Sequence, residues 1–436
     1  MRFRALILLP VLAWPLVPAS GQGPLLGAQV TVIGQHLFPF SALYSGPKSL
    51  DTTSDTKATH TYGVYLGARV LAHLQAYLDV EMAQGAGISN ATGLAGITNG
   101  DVIRQGTANL SRGPYLARII IRYVVPLGTA GDTLVRGIDQ LPGVEPSARL
   151  EVKAGKLAAS DDFDQNRYAN STRLQFCDWG LFNNSAWDYA ADTRGYSYGV
   201  LVAWVHPRWT LKLGRYLMPT FANGNTLDWD IRRAHGDNVE LALTPAGGAA
   251  PVIRLLAYEN HANMGSYAEA VTRAQGTGRP PDIVADDQPG RRKYGFGLNV
   301  EQPLADSGET GAFLRAGWND GRTEDFAFTE VDRHVSAGLQ VSGTRWRRAA
   351  DRFALAVVAH GISADHQAYL GAGGTGFLLG DGRLSYGQEQ ILEGYYWWQV
   401  RRHAALSLGG QVIEHPGYNR DRGPAFVGTL RFNLRY

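Results

Sequence analysis

The last twelve residues, Ala425 to Tyr436, read A-F-V-G-T-L-R-F-N-L-R-Y. Laid out as a strand, Phe426, Leu430, Phe432, Leu434 and Tyr436 fall on one side with Gly428 among them. Val427, Thr429, Arg431, Asn433 and Arg435 fall on the other. Strict alternation over about ten residues, ending on an aromatic, suits a strand with lipid on one face and an aqueous lumen on the other. A chain that stops on such a strand leaves an open edge unless that strand pairs with the first. Closure into a barrel removes the edge, and only closed barrels carry strands across hydrocarbon.

Fifteen further segments show the same alternation: 28–34, 62–70, 74–82, 115–125, 148–157, 196–205, 208–216, 238–244, 252–260, 293–302, 312–319, 333–343, 352–361, 388–400 and 404–413. The predicted fold is all-β, a transmembrane antiparallel up-and-down barrel of sixteen strands. Its connections alternate in length. Links 70–73, 205–208, 245–251, 303–311, 344–351 and 400–404 are short. Links 35–61, 83–114, 158–195, 217–237, 261–292, 320–332, 362–387 and 414–424 are longer. Short periplasmic turns and long outer loops give this pattern, and an even strand number puts both ends of the barrel on the periplasmic side. Segment 126–147 breaks it, being long in a short-turn slot. Tyr62, Tyr115, Trp209, Trp318, Trp398 and Tyr436 stand at strand ends, as interfacial aromatic girdles require. A soluble all-β array explains neither the two loop classes nor the girdles.

Residues 1–21 carry Arg2 and Arg4, an apolar run from Ala5 to Val17, and the small residues Ala19-Ser20-Gly21. This reads as a secretory signal peptide, since the run is too short to span a bilayer. Residues 22–436 are expected to form the barrel. Without Arg2 and Arg4 the 41 Lys and Arg fall to 39, equal to the 39 Asp and Glu. That balance gives no case for a nucleic-acid partner. Cys177 is the single cysteine, so no internal disulfide forms; it reads as a packed thiol.

Several stretches point to a family. Lys153-Ala154-Gly155-Lys156-Leu157 leads into Asp161-Asp162-Phe163-Asp164-Gln165-Asn166-Arg167-Tyr168-Ala169-Asn170, then Gln175-Phe176, Trp179-Gly180 and Ala186-Trp187-Asp188-Tyr189. Near the end stand Gly380-Asp381-Gly382, Glu389-Gln390-Ile391-Leu392-Glu393, Tyr395-Tyr396 and the run from Pro416 to Pro424. Together these resemble the carbohydrate-selective porins of Gram-negative outer membranes, from about residue 25 to the C-terminus. The resemblance implies a sixteen-stranded barrel in the cell outer membrane through which sugars diffuse passively into the periplasm.

The residues themselves suit that solute. Aromatic faces cover the apolar patches of sugars, and polar groups satisfy hydroxyls. The 38-residue link 158–195 holds both at high density, and a loop that long is usually functional. It is expected to fold into the lumen, with Phe163 and Trp187 stacking on sugar and Asp164, Asn166, Arg167 and Asp188 hydrogen-bonding. On the barrel wall Arg118, Arg315 and Glu393 are the next candidates. Charges facing lipid cost about 2–4 kcal/mol at midplane, which sends them inward. The expected partners are a mono- or oligosaccharide, outer-membrane lipid, and the barrel-assembly machinery acting through the C-terminal strand.

Rival readings are an exporter of acidic polysaccharide, a general porin and, more remotely, a carbohydrate-active hydrolase. A polyanion exporter calls for a strongly basic lumen, whereas the inward charges here are mixed. Hydrolysis calls for a carboxylate pair about 5–9.5 Å apart. Glu389 and Glu393, four apart on a strand, stand about 13 Å apart. His360, Asp365 and His366 match no recognised metal spacing. No catalytic residue, cofactor or metal is expected from the linear pattern.

Overall fold

The computed structural model describes residues 23–102, 110–245 and 250–436. The expected signal peptide, 1–21, lies outside the described residues. Sixteen antiparallel strands close into one barrel. The final strand, Ala425–Arg435, pairs with Leu25–Leu37 in the register Gln29↔Arg435 to Leu37↔Val427, and on its other edge with Ala404–Glu414. The side-chain pattern sets that register. Phe426, Leu430, Phe432 and Leu434 face outward and are exposed, while Val427, Arg431 and Asn433 are buried inside. A slip of one residue would exchange the two faces.

All sixteen segments expected from alternation lie in barrel strands. Several strands run past the alternating core: the first covers Leu25–Leu37, the second Asp55–Leu71 and the tenth Gln288–Ala305. Outside the apolar belt the backbone ladder can continue on polar residues, so its ends leave no mark in the alternation. An outward apolar belt rings the barrel, with Ile121, Phe296, Val335, Val357 and Leu408 among its exposed members. Trp204 and Trp209 meet edge to face, their centroids 5.1 Å apart, within the girdle.

Tyr115 departs from the expected girdle. The pairing of Asp79 with Arg118 and of Val80 with Leu116 leaves Ala117 as an extra residue. Such a bulge reverses the facing of what precedes it. Tyr115 therefore turns inward, where its hydroxyl donates to Glu81 (3.1 Å).

Segment 126–147 explains its own length. Gly131–Leu134 and Gly143–Pro146 form a separate two-stranded hairpin outside the barrel sheet. Strands of four residues are too short to show a period. The hairpin reaches across the periplasmic mouth to the first strand, where Arg136 Nη2 donates to the Leu26 carbonyl (2.7 Å). Gly27 allows this approach, since a Cβ there would collide with the Ile138 carbonyl.

Candidate permeation site

The 158–195 loop enters the lumen directly after the strand Arg149–Leu157 and is fastened to the wall along its length. Asp164, at φ 55°, donates its amide to Glu240 (2.7 Å). Its carboxylate receives Arg315 Nε (2.9 Å), Asn299 Nδ2 (2.7 Å) and the Asn184 amide (2.9 Å). The chain then descends to the periplasmic turn, where the Tyr168 hydroxyl donates to the Gly308 carbonyl (2.9 Å). On the way back Arg431 donates to the carbonyls of Thr172 and Gln175. Glu393 accepts from the amides of Cys177 (2.6 Å) and Asp178 (2.8 Å). Hydrogen bonds to charged groups contribute about 1.5–3 kcal/mol each, so a loop tied at this many points is rigid.

Inward carboxylates recur as anchors for loop amides. Glu389 accepts from Ala95 (3.1 Å) and Gly417 (2.8 Å), Glu301 from Arg167 (3.0 Å), and Asp188 from Phe326 (2.9 Å) and Ala327 (2.8 Å). Glu389 and Glu393 are both spent in this way. Cys177 is buried, and burial pushes its thiol up to about 12. Asp178, beside it, is pushed well above the carboxylate range by burial and by the charges of Glu393 and Glu389.

The candidate residues divide sharply by exposure. Phe163 (1 % exposed) and Trp187 (2 %) pack on each other with centroids 6.1 Å apart, Phe163 also meets Tyr216, and Trp187 Nε1 donates to Asn238 (2.8 Å). Neither ring offers a face to the lumen. Asp164, Asn166 and Asp188 are buried, with their polar atoms directed at the wall or at neighbouring loops. Arg315 and Glu393 are buried under the loop they hold. Arg167 is exposed, but it sits at the periplasmic turn beside Glu309 (3.2 Å). Of the nine, Arg118 borders open space in the lumen.

Two spaces flank the loop. One, of about 400 Å³, lies between the wall residues Arg118, Arg122 and Lys153, the loop residues Asp161 and Asp162, and Leu141 and Glu145 of the periplasmic hairpin. The other, of about 250 Å³, has Trp179, Phe182 and Tyr189 on one side and Ser160, Gln165, Asn170 and Asn183 around it. Asp161 borders both. Its carboxylate takes two bonds from Arg118, from Nε (2.7 Å) and Nη2 (2.7 Å), and the same guanidinium reaches Asp79 (3.1 Å). Across the larger space Arg122 bridges Glu145 and Glu151 (2.7 Å each). In the hairpin, Asp139 is pushed up to about 6, chiefly by burial, with Asp161 adding to the rise and Arg118 opposing it.

The boundary between the spaces is thus a fixed fork of charged donors and acceptors, with aromatic edges on one side. That combination can exchange hydrogen bonds with several hydroxyls at once. Asp161, Trp179, Phe182 and Tyr189 are the loop residues that sequence reasoning did not choose. Their types were as suggestive as those of Phe163 and Trp187, but nothing local says which ring opens on a void.

The fold agrees with comparisons to known proteins. The family model described as carbohydrate-selective porin, OprB family, matches residues 65–436. No curated protein matches the chain in sequence. Among solved structures, OprB of Pseudomonas putida at high pH superposes with a TM-score of 0.68 at 15% identity, covering 95% of this chain and 94% of that one. An anion-selective porin from Comamonas acidovorans superposes with a TM-score of 0.51 at 9% identity, covering 95% and 100%. At these identities the solved structures speak for the fold, and the family model carries the assignment. The chain belongs to the carbohydrate-selective porin, OprB family, and is an outer-membrane channel rather than an enzyme.

Proposed function

We propose that neutral mono- or oligosaccharides cross this barrel past the fork formed by Arg118 and Asp161, moving from the aromatic-edged outer space to the charged inner one. The observation that carries this reading is that Asp161 borders both spaces while bonded to Arg118. In this reading the Phe163 and Trp187 rings and the Asp164, Asn166 and Asp188 side chains brace the loop that presents Asp161, and Arg315 and Glu393 hold it to the wall. The channel performs no chemistry on its solute. Lipid covers the outward apolar belt, and the assembly machinery engages the final strand.

The exporter reading is disfavoured by the lining of the inner space. Arg118, Arg122, Arg149 and Lys153 are matched there by Asp139, Glu145, Glu151, Asp161 and Asp162. A polyanion would meet five carboxylates against four cations, whereas a neutral polyol exchanges bonds with both. The test is ion conductance through single channels in planar bilayers, with and without sugar. Sugar block that needs roughly tenfold more sugar in D161N and R118Q supports the fork as the site.

A further inference from the structure

Away from the permeation path, the outer loops bury an excess of negative charge. Asp325 and Asp332 come from the 320–332 link, and His366 from the helix Ala364–Gly371 in the next outer loop. All three are buried, and one ligand-type atom from each lies within 4.8 Å of the others. Asp188, from the 158–195 loop, and Lys293, from the strand Gln288–Ala305, adjoin them. The Lys293 ammonium pairs with Asp325 and reaches Asp188 at 3.4 Å. His366 Nδ1 lies 3.3 Å from Asp332 Oδ2, which also accepts from the Ser363 amide (2.7 Å). The Tyr267 ring, from a third outer loop, stacks on His366 with centroids 4.1 Å apart.

Two features show that this set is not self-sufficient. Asp325 Oδ2 and Asp332 Oδ1 are buried with no hydrogen-bond partner. Three carboxylates face one ammonium, which leaves two negative charges uncompensated while the imidazole is neutral. Each of these two carboxylates keeps one buried oxygen with no donor, and buried carboxylates are paired or coordinate a metal.

We propose that Asp325, Asp332 and His366 form a binding site for a divalent metal ion that clasps the outer loops together. One imidazole nitrogen and two carboxylate oxygens suit Zn²⁺, which takes His and Asp ligands in a small shell, over Ca²⁺, which prefers six to eight oxygens. A charge of +2 closes the local balance with Lys293 in place. The ion would tie the link 320–332 to the helix that follows Ser363, and through Lys293 and Asp188 it would brace the end of the 158–195 loop. The three ligands are not close enough in sequence to form a motif, which is why no metal spacing is visible in the chain.

The test uses the full chain folded in detergent, stripped with EDTA and titrated with ZnCl₂, with MnCl₂ as a paramagnetic probe. One Zn²⁺ per chain is expected, with a rise in the melting temperature. Affinity should fall at least tenfold in H366Q and in D325N. Equal Zn²⁺ affinity in wild type and both variants, or binding that leaves the melting temperature unchanged, would overturn the site. X-ray absorption at the zinc edge of the loaded wild type keeps the test decisive if the variants do not fold. A mixed nitrogen and oxygen shell is expected, and a shell of water alone overturns the proposal. If His366 instead neutralises Asp332 by protonation, the wild type will be stabilised by acid but not by metal, which equally sinks the proposal.

Discussion

Replacing Asp161 by Asn separates the fork from the rest of the loop more cleanly than any other change. The side chain keeps its shape and one acceptor oxygen, so the loop should still dock through Asp164, Glu393 and Asp188. What is lost is the charge that takes two bonds from Arg118 at 2.7 Å each. A hydrogen bond to a charged group contributes about 1.5–3 kcal/mol against about 1 kcal/mol for a neutral one. The difference, about 1–1.5 kcal/mol for one sugar hydroxyl, corresponds to roughly tenfold in affinity. Sugar block of single-channel current should therefore need roughly tenfold more sugar in D161N. Arg118 would keep Asp79 as its charged partner (3.1 Å), so the open channel should shift toward anions. The assay is a titration of neutral mono- and disaccharides against open-channel current, with reversal potentials measured in a salt gradient. Half-blocking concentrations in D161N and R118Q within twofold of wild type, from channels of normal conductance, would refute the assignment of the fork.

Trp187→Ala should act on stability instead. A buried Trp-to-Ala change costs about 3–5 kcal/mol, and it also strips Asn238 of its indole donor. A lower melting temperature with near-normal block in the channels that fold is expected, and selective loss of block at unchanged stability would return Trp187 to the path. Deleting Tyr436, whose amide and carbonyl both pair with Ala28 (2.9 and 3.1 Å), should cut assembly into the outer membrane while synthesis continues; normal levels of heat-modifiable barrel would contradict a closing role. For Asp139 the sign of the pH effect follows from the raised value. Docked, it holds a proton up to about pH 6, whereas its ordinary value is 3.8. Docking of the 131–146 hairpin is thus favoured by acid, and the gain is lost as pH rises through about 6. Hydrogen-exchange protection in the hairpin, corrected for intrinsic rates, should fall between about pH 4 and 6 in wild type and level off above that, and stay flat in D139N; identical profiles would rule this out.

The alternation of Phe426, Leu430, Phe432 and Leu434 against Val427, Arg431 and Asn433 was enough to say which face meets lipid. The same local rule located all sixteen strands, because lipid exposure acts on each residue separately and writes a period of two into the chain. Loop lengths added the orientation, and the length of 126–147 marked an anomaly without saying what it built. Tyr115 was misplaced because a bulge at Ala117 depends on how two strands pair and leaves the residue types unchanged. Inside the lumen local rules fail altogether. Phe163 and Trp179 are both aromatics of one polar loop, yet one is covered by Trp187 and Tyr216 while the other borders a void. Asp164 and Asp161 are three residues apart, yet one is consumed by Arg315 and Asn299 and the other borders two open spaces. These outcomes rest on contacts between segments tens to more than a hundred residues apart, from Phe163 with Trp187 to Asp164 with Arg315. Local alternation carries the barrel and its two faces, because each residue meets lipid or lumen on its own; which inward groups hold loops depends on segments that meet only once the barrel has closed.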